Sequence, residues 1–380
     1  MKSIHVDVEV KPLSYEVYIG TEILGCLAQD LAGRPLGKRY AVIADSQVAA
    51  LHGEKMMGEL KAAGLSAQMF VFPAGEASKN RRVKERLEDE MLDAGFGRDS
   101  AVIAFGGGVT GDLAGFVAAT YMRGLPVIQV PTTTLSMADS AIGSKTAVDV
   151  PQGKNLIGAF HSPVAVYMDM KLLDTLDERN YYSGLVELIK HGLIRRPSLQ
   201  EYLEEHQKVV TGREGDAAYY QTMEELLERN SEVKNDVVCH DQKESNLRKI
   251  LNYGHTFGHG VELVSHFNLL HGECVAVGIA FAAFLAEKLG YAQPDWTDKQ
   301  IRTLEAYHQS CAVAPDLPVE EMIAAMKKDK KVRDGKIEFI LLSGPAQVVC
   351  SPEGKLGVPV DETELRKWIT EFRQWKRNKN

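Results

Sequence analysis

The sequence predicts a doubly wound α/β domain of the Rossmann-like kind over residues 1–177, followed by a mainly α-helical domain over residues 178–380. Three observations predict it. Short apolar runs alternate with helical patterns through the first half. One of those runs opens directly into three glycines. After about residue 178 apolar residues recur at helical spacing, with few strand signals until residues 337–342. Near-continuous apolar strands separated by helices belong to a parallel sheet covered on both faces. The length of 380 residues suits two such units of roughly 150–200 residues each.

The elements follow in order. Residues 1–7 alternate as a strand would. Residues 40–44 are an apolar strand ending at Asp45 and Ser46, with a helix over about 48–63. A second strand covers 67–72 and a charged helix about 79–92. A third strand, 101–105, runs into Gly106-Gly107-Gly108, and residues 127–130 and 164–168 are further strands. The domain boundary falls near Asp177.

Composition narrows the function. Charged residues at 25% and hydrophobic residues at 44% are ordinary for a globular chain with a full core. A formal charge of -8 offers no general attraction to phosphate backbones, so a nucleic-acid partner is not expected. The basic run Lys376, Arg377 and Lys379 reads as a solvated tail. Five scattered cysteines without a C-x-x-C motif argue against a disulfide framework or a thiolate zinc site. No secretory signal is evident at the N-terminus. The longest apolar run, 275–286, falls short of the about 20 residues that span a bilayer. A reducing, cytoplasmic setting without a membrane partner is the expectation.

Glycines at a strand-to-helix turn let backbone approach a pyrophosphate, and the helix N-terminus presents unpaired N–H groups to it. The run Gly106-Gly107-Gly108-Val109-Thr110-Gly111-Asp112 has that form but not the usual G-x-G-x-x-G spacing, and alone it equally suits a tight turn. Asp45, at the end of a sheet strand, could bond ribose hydroxyls. Glu76 and Lys79 lie in a second turn at a strand end, and Thr132 and Thr133 follow another strand.

Glu187 and Lys190 stand three apart on one helix face, and by themselves they read as a surface ion pair. The stretch 248–262 says more. Arg248, Asn252, His255, His259 and Glu262 step by four, three, four and three, so one continuous helix would line them up as a polar stripe. Two histidines four apart resemble zinc-binding helices, and His271 opens the next helix. One carboxylate and two imidazoles with an open position make a common catalytic zinc set. A basic group, comprising Lys145, Lys154, Asn155, Lys234, Arg248 and the pair Lys330 and Lys331, suits a ligand with phosphate at one end and carboxylate at the other.

Together these motifs resemble the sugar-phosphate cyclase family, and within it the 3-dehydroquinate synthases. The resemblance runs from about residue 40 to 342, through residues 106–113, 120–124, 153–158, 251–259 and 271–273. It implies an NAD-dependent, metal-dependent lyase of the shikimate pathway acting on a phosphorylated sugar acid, and a homodimer. Glu187, His255 and His271 would bind zinc or cobalt. Asp139 and Lys190 would contact substrate hydroxyls, while Lys145, Asn155 and one of Lys330 and Lys331 would hold phosphate. Arg123 would reach a phosphate across a dimer interface. Lys234, Arg248 and Asn252 would serve the carboxylate and ring, oriented by Glu244, and His259 would shuttle protons. Asp45, Glu76, Lys79, Gly107, Gly108, Val109, Asp112, Thr132, Thr133, Lys145, Lys154, Leu172 and Thr175 would line the dinucleotide. Ser144, Met137 and Cys274 replace the family's usual glycine, glutamine and alanine. Deoxy-inosose synthases carry Glu at the position of Asn252, and valiolone-type synthases carry Asp there with Pro at the position of His259. An aminodehydroquinate synthase keeps the same residues as this chain. A glycerol-dehydrogenase-like enzyme would need fewer anion-binding residues, and a non-catalytic dinucleotide sensor would not keep the full metal and base set.

Overall fold

A computed structural model describes residues 14–241, 245–266, 268–328, 332–333, 336–351 and 353–377. The strand expected over residues 1–7 lies outside the described residues. The first half contains β1 (Glu16–Gly20), α1 (Leu24–Gly33), β2 (Arg39–Asp45), α2 (Ser46–Ala62), β3 (Ala67–Phe72), α3 (Arg81–Asp93), β4 (Ser100–Gly106), α4 (Gly108–Thr120) and β5 (Val127–Pro131). A hairpin of β6 (Lys145–Val150) and β7 (Gly153–Phe160) precedes β8 (Ala165–Asp169).

Six of these strands form one parallel sheet in the order β1-β8-β5-β4-β2-β3. Its central strands are apolar on both faces because each face has its own core. Ala41, Ile43, Val102 and Ala104 pack with Leu87 and Met91 of α3 and Leu113 and Val117 of α4. Tyr40, Val42, Ala44, Ala101 and Ile103 pack with Leu27 of α1 and Met56 and Leu60 of α2. That two-sided burial is why these strands do not alternate polar and apolar residues. β2 meets β3 on one side and β4 on the other, so the direction of winding reverses between β2 and β4. Such a switch point leaves a crevice beyond the C-terminal strand ends.

The second half is mainly helical: α5 (Glu178–Ile194), α6 (Pro197–Gly212), α7 (Ala217–His240), α8 (His255–Val264), α9 (His271–Lys288), α10 (Pro294–Ala306), α11 (Val319–Lys328) and α12 (Glu362–Arg377). Short strands β9 (Val332–Arg333), β10 (Lys336–Phe339), β11 (Leu342–Gly344), β12 (Gln347–Val348) and β13 (Val358–Val360) lie between the last two helices. Asp177, where the sequence pattern changes, caps α5 by accepting from the Asn180 N–H. Among the described residues no helix is long and apolar enough to cross a membrane. The apolar run 275–286 is instead the buried body of α9. All five cysteines are free thiols.

Three details depart from expectation. The stretch 248–262 is not one helix. Leu247–Asn252 is a 3-10 turn, Tyr253 is extended, and Gly254 at φ 79 caps α8 from the left-handed region. Residues 337–342 are not one strand either, because β10 and β11 pair in different sheets. The edge strand β1 and the β6–β7 hairpin carried no signal that the sequence pattern resolved. The hairpin exposes most of β7, so it lacks a buried face to read.

Candidate active site

The site is assembled where helices come closer than side chains normally allow. A Cβ on Gly278 of α9 would lie 1.9 Å from the Gly254 carbonyl oxygen, so α8 and α9 pack backbone against backbone. A Cβ on Gly272 would lie 1.8 Å from the Ser183 carbonyl oxygen, which seats the start of α9 on α5. A Cβ on Gly184 would lie 2.0 Å from Thr134 Oγ1, which seats α5 on the loop beyond β5. These contacts bring Glu187, His255 and His271 together from three helices.

One donor atom from each of Glu187, His255 and His271 lies within 4.8 Å of the other two. His255 Nε2 and His271 Nε2 are each 3.6 Å from Glu187 Oε1. Glu187 is fully buried, and its Oε1 accepts no hydrogen bond. His255 Nδ1 lies 3.1 Å from the Tyr253 carbonyl oxygen. A carbonyl only accepts, so the proton sits on Nδ1 and the Nε2 lone pair faces Glu187. Two lone-pair atoms facing each other in a buried site call for a cation between them. The kink at Gly254 is what places Tyr253 to set this tautomer. His271 Nδ1 faces Glu262 Oε2 at 3.5 Å. Burial works against charge on His271, but Glu187 and Glu262 raise its pKa to about 9. The donor set of one carboxylate and two imidazoles fits zinc or cobalt.

Charges around this point are paired in the interior. Glu187 and Lys190 form an ion pair with both side chains 1% exposed, so the surface reading of that pair is wrong. Every residue of α5 from 181 to 194 is buried, which forces any charge on it to find a partner. Burial alone would raise the Glu187 carboxyl, but Lys190 and His271 hold it well below the usual carboxylate range. Lys234 of α7 pairs with Asp139, which lies in a π-helical turn over Ser136–Ser140. Burial would raise Asp139 also, and Lys234 holds it down.

The dinucleotide candidates gather at the C-terminal strand ends. Gly107 caps α4 with no side chain bonded across its N-terminus. A Cβ there would lie 3.1 Å from Thr133 Cγ2, which would fill the floor of the turn. This arrangement fits a pyrophosphate. Val109 and Asp112 follow in the first turns of α4. Thr132 bonds the Gly106 carbonyl from its N–H at 3.0 Å. Asp45 accepts from the N–H groups of Gln47 and Val48 at 2.9 and 3.1 Å, so much of its capacity caps α2. Leu172 and Thr175 lie in a 3-10 turn after β8, and Thr175 Oγ1 bonds His52 Nε2 at 2.7 Å. Lys79 is buried and sits 2.6 Å from both Asp112 Oδ2 and Asn155 Oδ1. Lys154 reaches Glu76 at 3.4 Å and Glu262 at 2.8 Å.

The remaining candidates divide. His259 is one turn beyond His255, with ring centroids 5.3 Å from His255 and 5.9 Å from His271. Arg248 is buried in the 3-10 turn that ends at Asn252, with Nη2 3.3 Å from where a Gly143 Cβ would be. Lys145 opens β6 nearby and is exposed. Arg123 is not brought into this cleft. It is exposed at the far end of α4, about 20 Å along the helix from the glycine turn by its rise. Glu244, Lys330 and Lys331 lie outside the described residues.

The structure adds residues that sequence reasoning missed. His191 is fully buried one turn after Glu187, and its Nδ1 is 2.7 Å from Asn230 Oδ1. The Asn230 amide nitrogen donates to the Ala138 carbonyl, so the His191 proton sits on Nδ1. His191 Nε2 accepts no hydrogen bond and points toward Asp139 Oδ1, 3.8 Å away. Burial and Lys190 lower its pKa to about 4, so the ring is neutral at pH 7. Its spacing of four from Glu187 was the available signal. Tyr15, ahead of β1, accepts from the Gly143 N–H at 2.9 Å and joins the edge strand to this site.

Comparisons with known proteins agree with this geometry. A family model described as 3-dehydroquinate synthase N-terminal matches residues 69–183, and one described as 3-dehydroquinate synthase C-terminal matches 184–332. The 3-dehydroquinate synthase of Acidithiobacillus ferrooxidans is 41% identical over 357 residues, covering 93% of this chain and 95% of its own. That of Thermoanaerobacter pseudethanolicus is 40% identical over 340 residues, covering 89% of this chain and 94% of its own. A 2-deoxy-scyllo-inosose synthase crystallised with carbaglucose-6-phosphate, NAD+ and Co2+ superposes at a TM-score of 0.82. It is 26% identical and covers 94% of this chain and 96% of its own. The 2-epi-5-epi-valiolone synthase of Streptomyces hygroscopicus, with NAD+ and Zn2+ bound, superposes at 0.83 with 25% identity, covering 99% and 100% of the two chains.

Proposed function

The chain belongs to the 3-dehydroquinate synthase family, and from that premise we propose that its cleft converts 3-deoxy-D-arabino-heptulosonate 7-phosphate to 3-dehydroquinate and inorganic phosphate. The observation that carries this reading is the convergence of Glu187 Oε1, His255 Nε2 and His271 Nε2 beside a glycine-floored strand edge. Bound between these groups, zinc or cobalt would acidify a ring hydroxyl, and NAD at the glycine turn would take and return the hydride of that carbon, with no net redox change.

The chain's own residues do the rest. Asp139, Lys190 and the His191 Nε2 acceptor form a fixed hydroxyl-binding wall whose charges are already paired, so they orient substrate without a large desolvation cost on binding. Arg248, Lys234 and Asn252 serve the substrate carboxylate. Lys145, Asn155 and one of Lys330 and Lys331 hold the phosphate. His259 stands one helical turn beyond His255, beside the metal-binding pair, and it moves the proton that leaves carbon as the C–O bond to phosphate breaks. Asp45, Glu76, Lys79, Gly107, Gly108, Thr132, Thr133 and Lys154 line the dinucleotide. We place the division of labour at Asp177, with residues 1–177 holding the dinucleotide and residues 178–380 the metal. A reducing cytoplasm suits five free thiols.

The working unit is a homodimer. Arg123 is too far along α4 to serve its own cleft, and Leu156, Ile157 and Phe160 of β7 are exposed apolar residues that a second copy would cover. Mixing Arg123→Ala with His255→Ala protein restores activity in hybrid dimers under this reading. Hybrids that form yet stay inactive would remove Arg123 from a partner's site.

The reaction itself is tested with heptulosonate phosphate and substoichiometric NAD. Phosphate release should continue for many turnovers with no accumulation of NADH. Stoichiometric NADH would instead mark an alcohol dehydrogenase.

A further inference from the structure

We propose that Glu262 is a positioning residue for the metal: its carboxylate, held between Lys154 and His271, fixes the His271 ring with Nε2 toward Glu187. This rests on the metal reading above and deepens it. Glu262 lies on α8, three residues beyond His259 and seven beyond His255, so all three share one helix face. Its side chain is 9% exposed. Oε2 is 3.5 Å from His271 Nδ1, and Oε1 is 2.8 Å from Lys154 Nζ.

The chemistry of an imidazole makes this contact decisive. A carboxylate beside Nδ1 keeps the proton there, and a neutral ring then has its lone pair on Nε2. Nε2 is the atom 3.6 Å from Glu187 Oε1. His255 is set the same way by the Tyr253 carbonyl. The two imidazoles are thus oriented by different devices, one backbone and one carboxylate. Partners of this kind also raise the basicity of the ligating nitrogen.

A rival use of the same atoms exists. One donor atom from each of His259, Glu262 and His271 also lies within 4.8 Å of the other two, which is a second possible metal set. The two sets share His271 and place opposite demands on it. Ligation through Nδ1 would strip the proton from that nitrogen and return it to Nε2, against the first set. The Lys154 ammonium already occupies Glu262 Oε1, so a second cation there would meet a fixed positive charge. Between these two sets the charge arrangement therefore favours the first, with Glu262 behind its ligand.

Lys154 also reaches Glu76 at 3.4 Å. A continuous polar chain then runs Glu76, Lys154, Glu262, His271, Glu187, from the turn after β3 to the metal end. The carboxylate that orients the metal ligand is the one that anchors a lysine of the dinucleotide side.

The test uses the full-length protein stripped of metal, with zinc affinity read by chelator competition and the cobalt-loaded protein read by its visible spectrum. The wild type should bind one metal per chain. Glu262→Ala should bind it about 10–100-fold more weakly with an altered cobalt spectrum. Glu262→Gln, which keeps an acceptor for Nδ1–H but not the charge, should recover the wild-type spectrum and bind zinc several-fold more weakly than the wild type but more tightly than Glu262→Ala. Wild-type affinity and spectrum in Glu262→Ala would overturn the proposal, as would two metals per chain in the wild type. If Glu262→Ala does not fold, Glu262→Gln decides: several-fold weaker zinc binding supports the role, and unchanged binding overturns it. A wild type that binds no metal would instead defeat the metal reading itself.

Discussion

The two sides of the cleft are built on opposite principles. The dinucleotide side is a row of strand ends and helix starts: Gly107 caps α4 without a side chain, and Thr132 and Asp45 bond neighbouring backbone. Its chemistry is that of the main chain. The metal side is made of side chains from α5, α8 and α9 that are far apart in sequence and largely buried. Its chemistry depends on each buried charge having its partner: Glu187 with Lys190, Asp139 with Lys234, His271 with Glu262. Outside the buried Lys79–Asp112 pair, the backbone side should therefore tolerate most side-chain changes and fail when space is filled. The side-chain side should fail when any one member of its network is removed, because the rest are left buried and uncompensated.

The largest effect is expected at a ligand. His271→Ala should abolish metal binding and activity together while NAD still binds, as measured by metal content and by NAD titration of the same preparation. Loss of NAD binding as well would show that the two sides do not separate. His259→Ala should slow phosphate release by about 10²–10⁴-fold with metal content unchanged. Loss of metal in that variant would make His259 a ligand and break the distinction drawn between it and His255. On the other side, Gly107→Ala places a methyl 3.1 Å from Thr133 Cγ2. It should weaken NAD binding about tenfold, or about 1.4 kcal/mol, and leave zinc affinity at the wild-type level. The smallest effect on the cleft itself lies at its edge, where the change is read in stability. Asp241 accepts from the N–H groups of Ser245, Asn246 and Arg248, which shapes the turn carrying Arg248. Burial would raise its carboxyl, but these bonds hold it well below the ordinary range. A depressed folded pKa gives stability that is present above the unfolded value, near 4, and is lost as pH falls below it. Asp241→Asn should therefore cost about 1–2 kcal/mol in urea unfolding at pH 7, with the gap closing as the pH falls below about 4.

The same contrast explains what the sequence made legible. Strands buried on both faces, such as 40–44 and 101–105, declare themselves by continuous apolar residues, and the glycine turn after β4 is visible because it is local. The edge strand β1 is only half-buried and β7 of the hairpin is mostly exposed, so neither carries such a fully buried run. Glu187, His255 and His271, whose donor atoms converge in the structure, were singled out through motif resemblance and helical spacing, although the spacing was read as one helix where Gly254 makes a break. His191 and Glu262 were harder. A histidine in an apolar helix and a glutamate at the end of a stripe acquire meaning only from Asn230, Asp139, Lys154 and His271, which are supplied by other elements. Their roles are properties of packing, and a single helical segment does not contain them.

The central claim is that the hydride taken at the metal side returns to the same molecule. A heptulosonate analogue with a non-leaving phosphonate in place of the phosphate tests it most directly, by following reduced nicotinamide on the NAD-loaded enzyme. Oxidation without elimination should build reduced cofactor to at most one equivalent per site and then stop. Continuous NADH production from the analogue or from the natural substrate would contradict the account.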